Sequence, residues 1–227
     1  MGEQAKAGLW TVSLAAVKGG RKIMNGDMEF VLATGNAHKV GEIMKSVALL
    51  GSRVRFVSAA EFGGMPEVEE TSSTLVGNAR LKALALWEKL GRAKAVCADD
   101  TGLFVDHLDG APGVHTARYA GPAGHAADNI RKLLWALEGV PASRRGAEFR
   151  CVLFTIDRDG VEKVFEGVFR GRIAEKESGG SGFGYDPIFI AEGCDCSVAA
   201  LPEDTKNRIS HRALAVKELC AYMEAAR

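Results

Sequence analysis

Two neighbouring stretches past the middle of the chain restrict its possible folds more than any other feature. Residues 148–157 and 161–172 are both rich in Val, Phe and Ile, and Arg158-Asp159-Gly160 lies between them. Two β-rich runs joined by so short a glycine-containing turn read as a hairpin, hence an antiparallel pair. Upstream the pattern differs. Residues 29–34 form a short apolar run that ends in Gly35-Asn36, after which Val40, Ile43, Met44 and Val47 recur at helical spacing until Gly51. That is a strand-turn-helix unit, the kind that builds parallel neighbours. A sheet containing both must be mixed.

The other elements fit this frame. Residues 54–58 read as a strand, and the acidic loop 66–73 leads into a helix over about 74–90, with Ser72 or Ser73 as N-cap and Val76, Ala79, Ala83, Trp87 and Leu90 on one face. Residues 95–98 form a buried-type strand that runs directly into Asp99-Asp100-Thr101-Gly102. A helix is expected over about 126–138, a short strand at 188–190, and a last helix over about 210–226. The fold class is therefore α/β, a mixed sheet flanked by helices with a cleft where loops at strand ends converge. No repeat or long linker divides the chain, so residues 28–227 read as one domain. Residues 1–27 read as a poorly ordered extension or an upstream start, with Met28 able to serve as a start itself.

Charge and cysteine usage narrow the partners. Lys and Arg number 29 and Asp and Glu number 29, a formal net charge of zero, so no bulk field favours nucleic acid or an anionic membrane. No apolar stretch approaches the roughly 20 residues of a membrane span. Five cysteines are an odd number in a chain long enough to bury a core without staples, which makes a reducing cytoplasm the simplest compartment. Cys194 and Cys196 have no second close pair to complete a metal ligand set.

Four constellations carry chemistry. Thr34, Gly35, Asn36, Ala37, His38 and Lys39 sit between a strand and a helix, where glycine, the helix N-terminus and a lysine suit an oligophosphate; taken alone the same residues also describe a plain capped turn. Asp99 and Asp100 are adjacent on a strand and face opposite sides, so one is expected to enter a site while the other supports the structure. A carboxylate there suits Mg²⁺, although Asp-Thr-Gly also describes a plain turn, and the acidic run Glu67, Glu69, Glu70 offers a second ligand, although such a run is also an ordinary solvated face. Phe183, Gly184, Tyr185 and Asp186 can set a ring against a planar base; the same residues also describe a structural turn with aromatic core plugs. Lys206, His211 and Arg212 gather around the start of the last helix, where an anion is favoured, although by themselves they also describe a solvated basic helix end. Jointly they describe a nucleoside triphosphate site.

Those same residues carry a resemblance. TGNAHK, ADDTGLFVDHLDGAPGVHTARYAG, GFGYDPIF and SHRALA, in this order over about residues 29–225, resemble the Ham1/inosine triphosphatase family of purine nucleotide pyrophosphatases. The resemblance implies an elongated α/β protein with a central mixed sheet, two lobes with a nucleotide cleft between them, and a homodimer. It also implies Mg²⁺-dependent conversion of ITP, dITP and XTP to the monophosphate and pyrophosphate. By motif position, residues Thr34 to Lys39 would bind phosphates, Asp100 would be proton acceptor and metal ligand, and Thr101 would contact substrate. Phe183 to Asp186, Lys206, His211 and Arg212 would complete the nucleotide site, with Glu67 preferred to Glu70 as second metal ligand because a Pro-Glu pair like Pro66-Glu67 occurs in relatives. Family members usually carry serine at Thr101, which keeps the hydroxyl. Two other readings stay open: a pyrophosphatase for modified pyrimidine nucleotides, and a non-catalytic nucleotide-binding module, against which the intact acids speak.

Overall fold

The computed structural model describes residues 28–226; the expected extension, 1–27, lies outside the described residues. The first strand, β1 (Glu29–Leu32), runs through a short turn into helix α1 (Ala37–Leu50). The Asn36 side chain starts that helix by accepting the N–H groups of His38 at 3.0 Å and Lys39 at 3.3 Å. Gly51, at φ 62°, ends it in the left-handed conformation that glycine adopts without strain. Strand β2 (Arg55–Ser58) follows, and then helix α2 (Leu75–Lys89). Its N-cap is Thr74 in place of the expected Ser72 or Ser73. Thr74 stands three residues before Gly77, whose N–H it accepts at 3.0 Å, and Ser72 instead supports Thr74 by accepting its N–H at 3.2 Å.

The buried face of α2 is Leu75, Asn78, Ala79, Ala83 and Leu86, rotated from the expected one; Val76 is left exposed. Ala79 and Ala83 let the helix approach the sheet closely, and the larger Trp87 sits at the rim beside Arg92.

Strand β3 (Ala95–Val105) is much longer than expected, and β4 (Pro112–Gly113) pairs with its far end. Asp99 and Asp100 therefore lie inside a strand rather than at its end. The cause is an unbroken antiparallel ladder with β5 (Gly146–Ile156), from Val96↔Ile156 to Val105↔Ala147, which carries the extended conformation through both acids. After helix α3 (Ala126–Ala136) and β5 comes the expected hairpin partner, β6 (Glu162–Ile173), and then β7 (Phe189–Ala191). The chain closes with a short helix the sequence reading did not separate, α4 (Glu203–Ile209), and with α5 (His211–Ala225), capped by Ser210.

The sheet order is β2-β1-β3-β5-β6-β7, with β4 on β3. β2, β1 and β3 are parallel, and β3, β5, β6 and β7 are antiparallel, so the sheet is mixed as the hairpin required. Three apolar clusters hold it. One lies between the sheet and α1 and α5 (Ile43, Cys97, Leu153, Val216, Leu219), and one lies under α2 on the opposite face (Ala83, Leu86, Val96, Phe154). The third builds a second lobe at the far end of the long strands, under α3 and the 185–201 segment (Leu103, Leu133, Phe149, Ile188, Phe189). All five cysteines are free, and Cys97, Cys151 and Cys220 are buried.

Helix α5 lies directly on β6 at Gly167. A Cβ there would stand 2.0 Å from the His211 carbonyl oxygen and 2.5 Å from the Ala215 nitrogen, both main-chain atoms that cannot swing aside. The Gly167→Ala variant should therefore lose at least about 2 kcal/mol in urea unfolding, the usual scale of overpacking. Gly180→Ala, with nothing within 4 Å of the new Cβ, should stay close to wild type. A Gly167→Ala protein of unchanged stability would show that α5 is not seated this way. A second prediction concerns His211, whose ring stacks on Phe149 at 4.8 Å. Burial, reinforced by Arg212, holds its imidazole well below the ordinary histidine range. The unfolded chain binds a proton that the folded chain refuses, so stability is full above the ordinary histidine range and declines as pH falls through it. Urea midpoints measured from pH 7.5 down to 5 should drop more steeply for wild type than for His211→Gln; equal slopes would contradict this.

Candidate active site

Alternation along β3 decides which acid does what. Odd-numbered residues face α1 and α5, where Cys97 packs, and even-numbered residues face α2, where Val96 and Ala98 pack. Asp99 points to the first side and is 1% exposed. Its carboxylate binds the Lys39 ammonium from the start of α1 and, at 3.0 Å, Nε of Arg212 from the start of α5. Cys151 Sγ lies 3.1 Å away, and the Thr101 hydroxyl donates to the same carboxylate at 3.3 Å. Burial alone would raise this carboxyl, but Arg212, Lys39 and Lys82 hold it well below the usual carboxylate range. Asp99 is thus a permanent anion with its partners fixed.

Asp100 points to the other side. Its Oδ1 accepts from Lys82 Nζ at 2.7 Å, and Lys82 also reaches Glu70 Oε1 at 3.1 Å. Arg118 approaches Glu70 from the 106–124 segment at 3.4 Å. Here burial wins over Lys82 and raises the Asp100 carboxyl, which makes it a stronger base than an ordinary carboxylate. Glu70 is lowered: burial would raise it, but Lys82 and Arg118 outweigh that. One ammonium therefore bridges two hard oxygen donors, the kind of pair that suits Mg²⁺. Among the described residues no three His, Cys, Asp or Glu side chains form a ready metal cage; a Mg²⁺ held by one or two carboxylates together with substrate phosphates needs none. Glu67, the expected second ligand, is exposed on its loop, whereas Glu70 shares Lys82 with Asp100.

A cavity of about 300 Å³ opens beside the Asp99 side of β3. Ten of the residues expected to bind a nucleotide line it: Asn36, Lys39, Thr101, Phe183, Gly184, Tyr185, Asp186, Lys206, His211 and Arg212. Thr34, Gly35, Ala37 and His38 do not. Thr34 Oγ1 instead accepts the Asn36 N–H at 3.1 Å, and the His38 ring stacks on Phe183 at 5.4 Å, joining the two loops. Asp186 shapes the Phe183 turn by accepting the Phe183 N–H at 2.9 Å, and it binds Lys206 at 2.6 Å. The Tyr185 hydroxyl is committed to the Thr116 carbonyl at 3.0 Å, and the Lys206 ammonium lies 4.8 Å from the centroid of the Phe183 ring.

The cations expected to hold phosphates are already engaged. Glu42 binds both Arg212 and, at 2.7 Å, Lys206. Lys39, Lys206 and Arg212 are therefore matched one for one by Asp99, Glu42 and Asp186. Glu42, Lys82, Arg118 and Thr116 were not expected. Glu42 was open to inference, since it stands one turn after Lys39 on α1; Lys82 and Arg118 were not, because only the fold brings them to Glu70. Among the described residues, His211 Nδ1 is the one buried side-chain polar atom without a partner that belongs to the cavity wall.

Comparison with known proteins agrees with this geometry. Residues 30–222 match the model of the Ham1 family. The dITP/XTP pyrophosphatase of Opitutus terrae is 48% identical over 199 residues, 86% of this chain and 98% of that protein. That of Bacillus subtilis is 44% identical over 197 residues, 87% of this chain and 98% of that protein. Among solved structures, the Ham1 protein of Coxiella burnetii superposes with a TM-score of 0.77 at 37% identity, covering 87% of this chain and 99% of that one. The Staphylococcus aureus Ham1 protein gives 0.76 at 38% identity, over 88% and 100%. The chain belongs to the Ham1 family.

Proposed function

We propose that this protein hydrolyses non-canonical purine nucleoside triphosphates, dITP, XTP and ITP, to the monophosphate and pyrophosphate, with Mg²⁺. The names of its relatives support the substrate class. The observation that carries the chemistry is the split between the neighbouring acids: Asp99 is clamped by Lys39 and Arg212 on one face of β3, and Asp100 faces the other with Lys82 and Glu70. Environments that push two carboxyls apart in this way mark different roles. In this reading Asp100 takes a proton from the water that attacks a phosphorus, and Asp99 holds α1 and α5 in place around the substrate.

Asp100, with Glu70 or Glu67, would hold the metal, which supplies charge neutralisation on the leaving pyrophosphate when bound. The match of Lys39, Lys206 and Arg212 by carboxylates supports a need for it, since the internal cations carry little free charge for a triphosphate. The N-terminus of α1, with residues Gly35 to His38 exposed, adds main-chain donors. Phe183, whose ring already meets His38 and Lys206, lines the cavity where the base would sit, and His211 Nδ1 is a buried polar atom without a partner among the described residues. Hypoxanthine and xanthine differ from adenine in a 6-oxo group, so donors aimed there would leave ATP with an unpaired polar contact. Action as a homodimer in the cytoplasm belongs to the same proposal; no helix among the described residues is long and apolar enough to cross a membrane.

Pyrophosphate release measured across ITP, XTP, dITP, GTP, ATP, dUTP and dTTP, with and without Mg²⁺, tests this directly. ITP, XTP and dITP should turn over at least about 100-fold faster than ATP, the discrimination expected when a buried polar contact goes unpaired. Release of single phosphates, equal rates on ATP, or preference for a pyrimidine would contradict it.

A further inference from the structure

The loop that carries Phe183 has little apolar support. Among the described residues the Phe183 ring belongs to none of the three apolar clusters, and it lines two separate spaces. One is the cavity of about 300 Å³ described above. The other, of about 380 Å³, opens between the loop, at Ser181, Gly182 and Phe183, and residues of α1 and α4. Residues 178–182 are themselves exposed. Burial in a core therefore does not set where the ring stands, and polar contacts must do so.

Those contacts converge on one buried turn. The one-turn helix Val198–Ala200 is rooted in the second lobe, with Val198 and Ala199 each 2% exposed. Ser197, at its start, is 0% exposed and donates its hydroxyl to the Ser178 carbonyl at 2.7 Å. The Ala199 carbonyl accepts both the Ser181 N–H at 3.1 Å and the Ser181 hydroxyl at 2.7 Å. Gly179 lies flat on the same turn: a Cβ there would stand 2.5 Å from the Ala199 carbonyl carbon and 2.6 Å from the Ala200 nitrogen. The neck of the loop is closed by the Ser178 N–H, which donates to the Pro187 carbonyl at 2.9 Å. Helix α4 starts shortly after the turn, and its Lys206 binds Asp186 at 2.6 Å and approaches the Phe183 ring. Loop and cation are thus held from a single place.

We propose that Ser197, which lines neither space, is a positioning residue for base recognition: its hydroxyl straps the loop to the buried turn and so holds the Phe183 ring where a purine would stack. This rests on the reading of the cavity as a purine nucleotide site. A loop that leaves its place is competent for only a fraction of the time, and the apparent affinity falls by that fraction. Proton transfer belongs to Asp100 on β3 in that reading, so the strap acts on binding and leaves the chemical step alone.

Three variants test the idea. Ser197→Ala removes the strap, and Gly179→Ala pushes the loop off the same turn. Gly180→Ala, with nothing within 4 Å of its Cβ, is the control. The first two should each raise KM for ITP about tenfold, the scale of one lost hydrogen bond, with kcat within about threefold of wild type; Gly180→Ala should match wild type in both. Gly179 is exposed, so its variant reads the strap even if Ser197→Ala does not fold. In parallel, amide hydrogen exchange of ligand-free protein, followed by mass spectrometry, should quicken over residues 178–183 in both variants while β5 and β6 keep the wild-type rate. An unchanged KM in both variants, a loss confined to kcat, or loop exchange as slow as in wild type overturns the proposal. If wild-type protein turned over no triphosphate, the proposed function would fail, and the exchange rates would still decide whether Ser197 holds the loop.

Discussion

A single buried carboxylate organises the molecule. Asp99 is 1% exposed and is bound by Lys39 from α1 and Arg212 from α5. An isolated charge in that position would be far too costly, so the three elements must arrive together. The two helices also pack apolar side chains on the same sheet face, Ile43 from one and Val216 and Leu219 from the other. Hydrophobic burial brings them close, and the ion cluster fixes their ends relative to β3. Glu42 extends the cluster by taking Arg212 and Lys206 together, and Lys206 passes it on to Asp186 at the Phe183 turn. Phosphate loop, last helix and aromatic loop are thereby parts of one network.

The second consequence is a division of labour within a dipeptide. Neighbouring strand residues face opposite sides, so Asp99 and Asp100 meet different surroundings only because α1 and α5 cover one face and α2 the other. On one side two cations overwhelm desolvation. On the other, burial outweighs Lys82. The same residue type thus supplies a fixed anion and a base at adjacent positions. Both sit where β1 has ended and β3 continues, at the kind of crevice where parallel sheets accept ligands.

Much of this was legible from the residues. The Arg158-Asp159-Gly160 turn between two Val- and Phe-rich runs required the hairpin, and the apolar spacing of Val40 to Val47 required α1. The opposite facing of Asp99 and Asp100 followed from alternation alone. The full length of β3 did not, because Asp-Asp-Thr-Gly has poor strand propensity and only the ladder with β5 keeps it extended. The inward face of α2 was misread by its Trp87, a large residue that close packing of Ala79 and Ala83 pushes to the rim. Lys82 and Arg118 lay beyond reach for another reason: each meets Glu70 across 12 and 48 residues of chain, and no local pattern encodes that meeting.

The most direct test of this account compares Asp99→Asn with Asp100→Asn, each measured for unfolding free energy and for kcat on ITP. Asp99→Asn should lose about 3–5 kcal/mol of stability, the cost of removing one partner from a buried ion cluster. Asp100→Asn should stay near wild type in stability and lose about 10²–10⁴-fold in kcat, as expected when a general base is removed. The opposite pattern, a stable but inactive Asp99→Asn beside an unstable Asp100→Asn that retains turnover, would contradict the division between the two carboxylates and move the chemistry to the other face of the sheet.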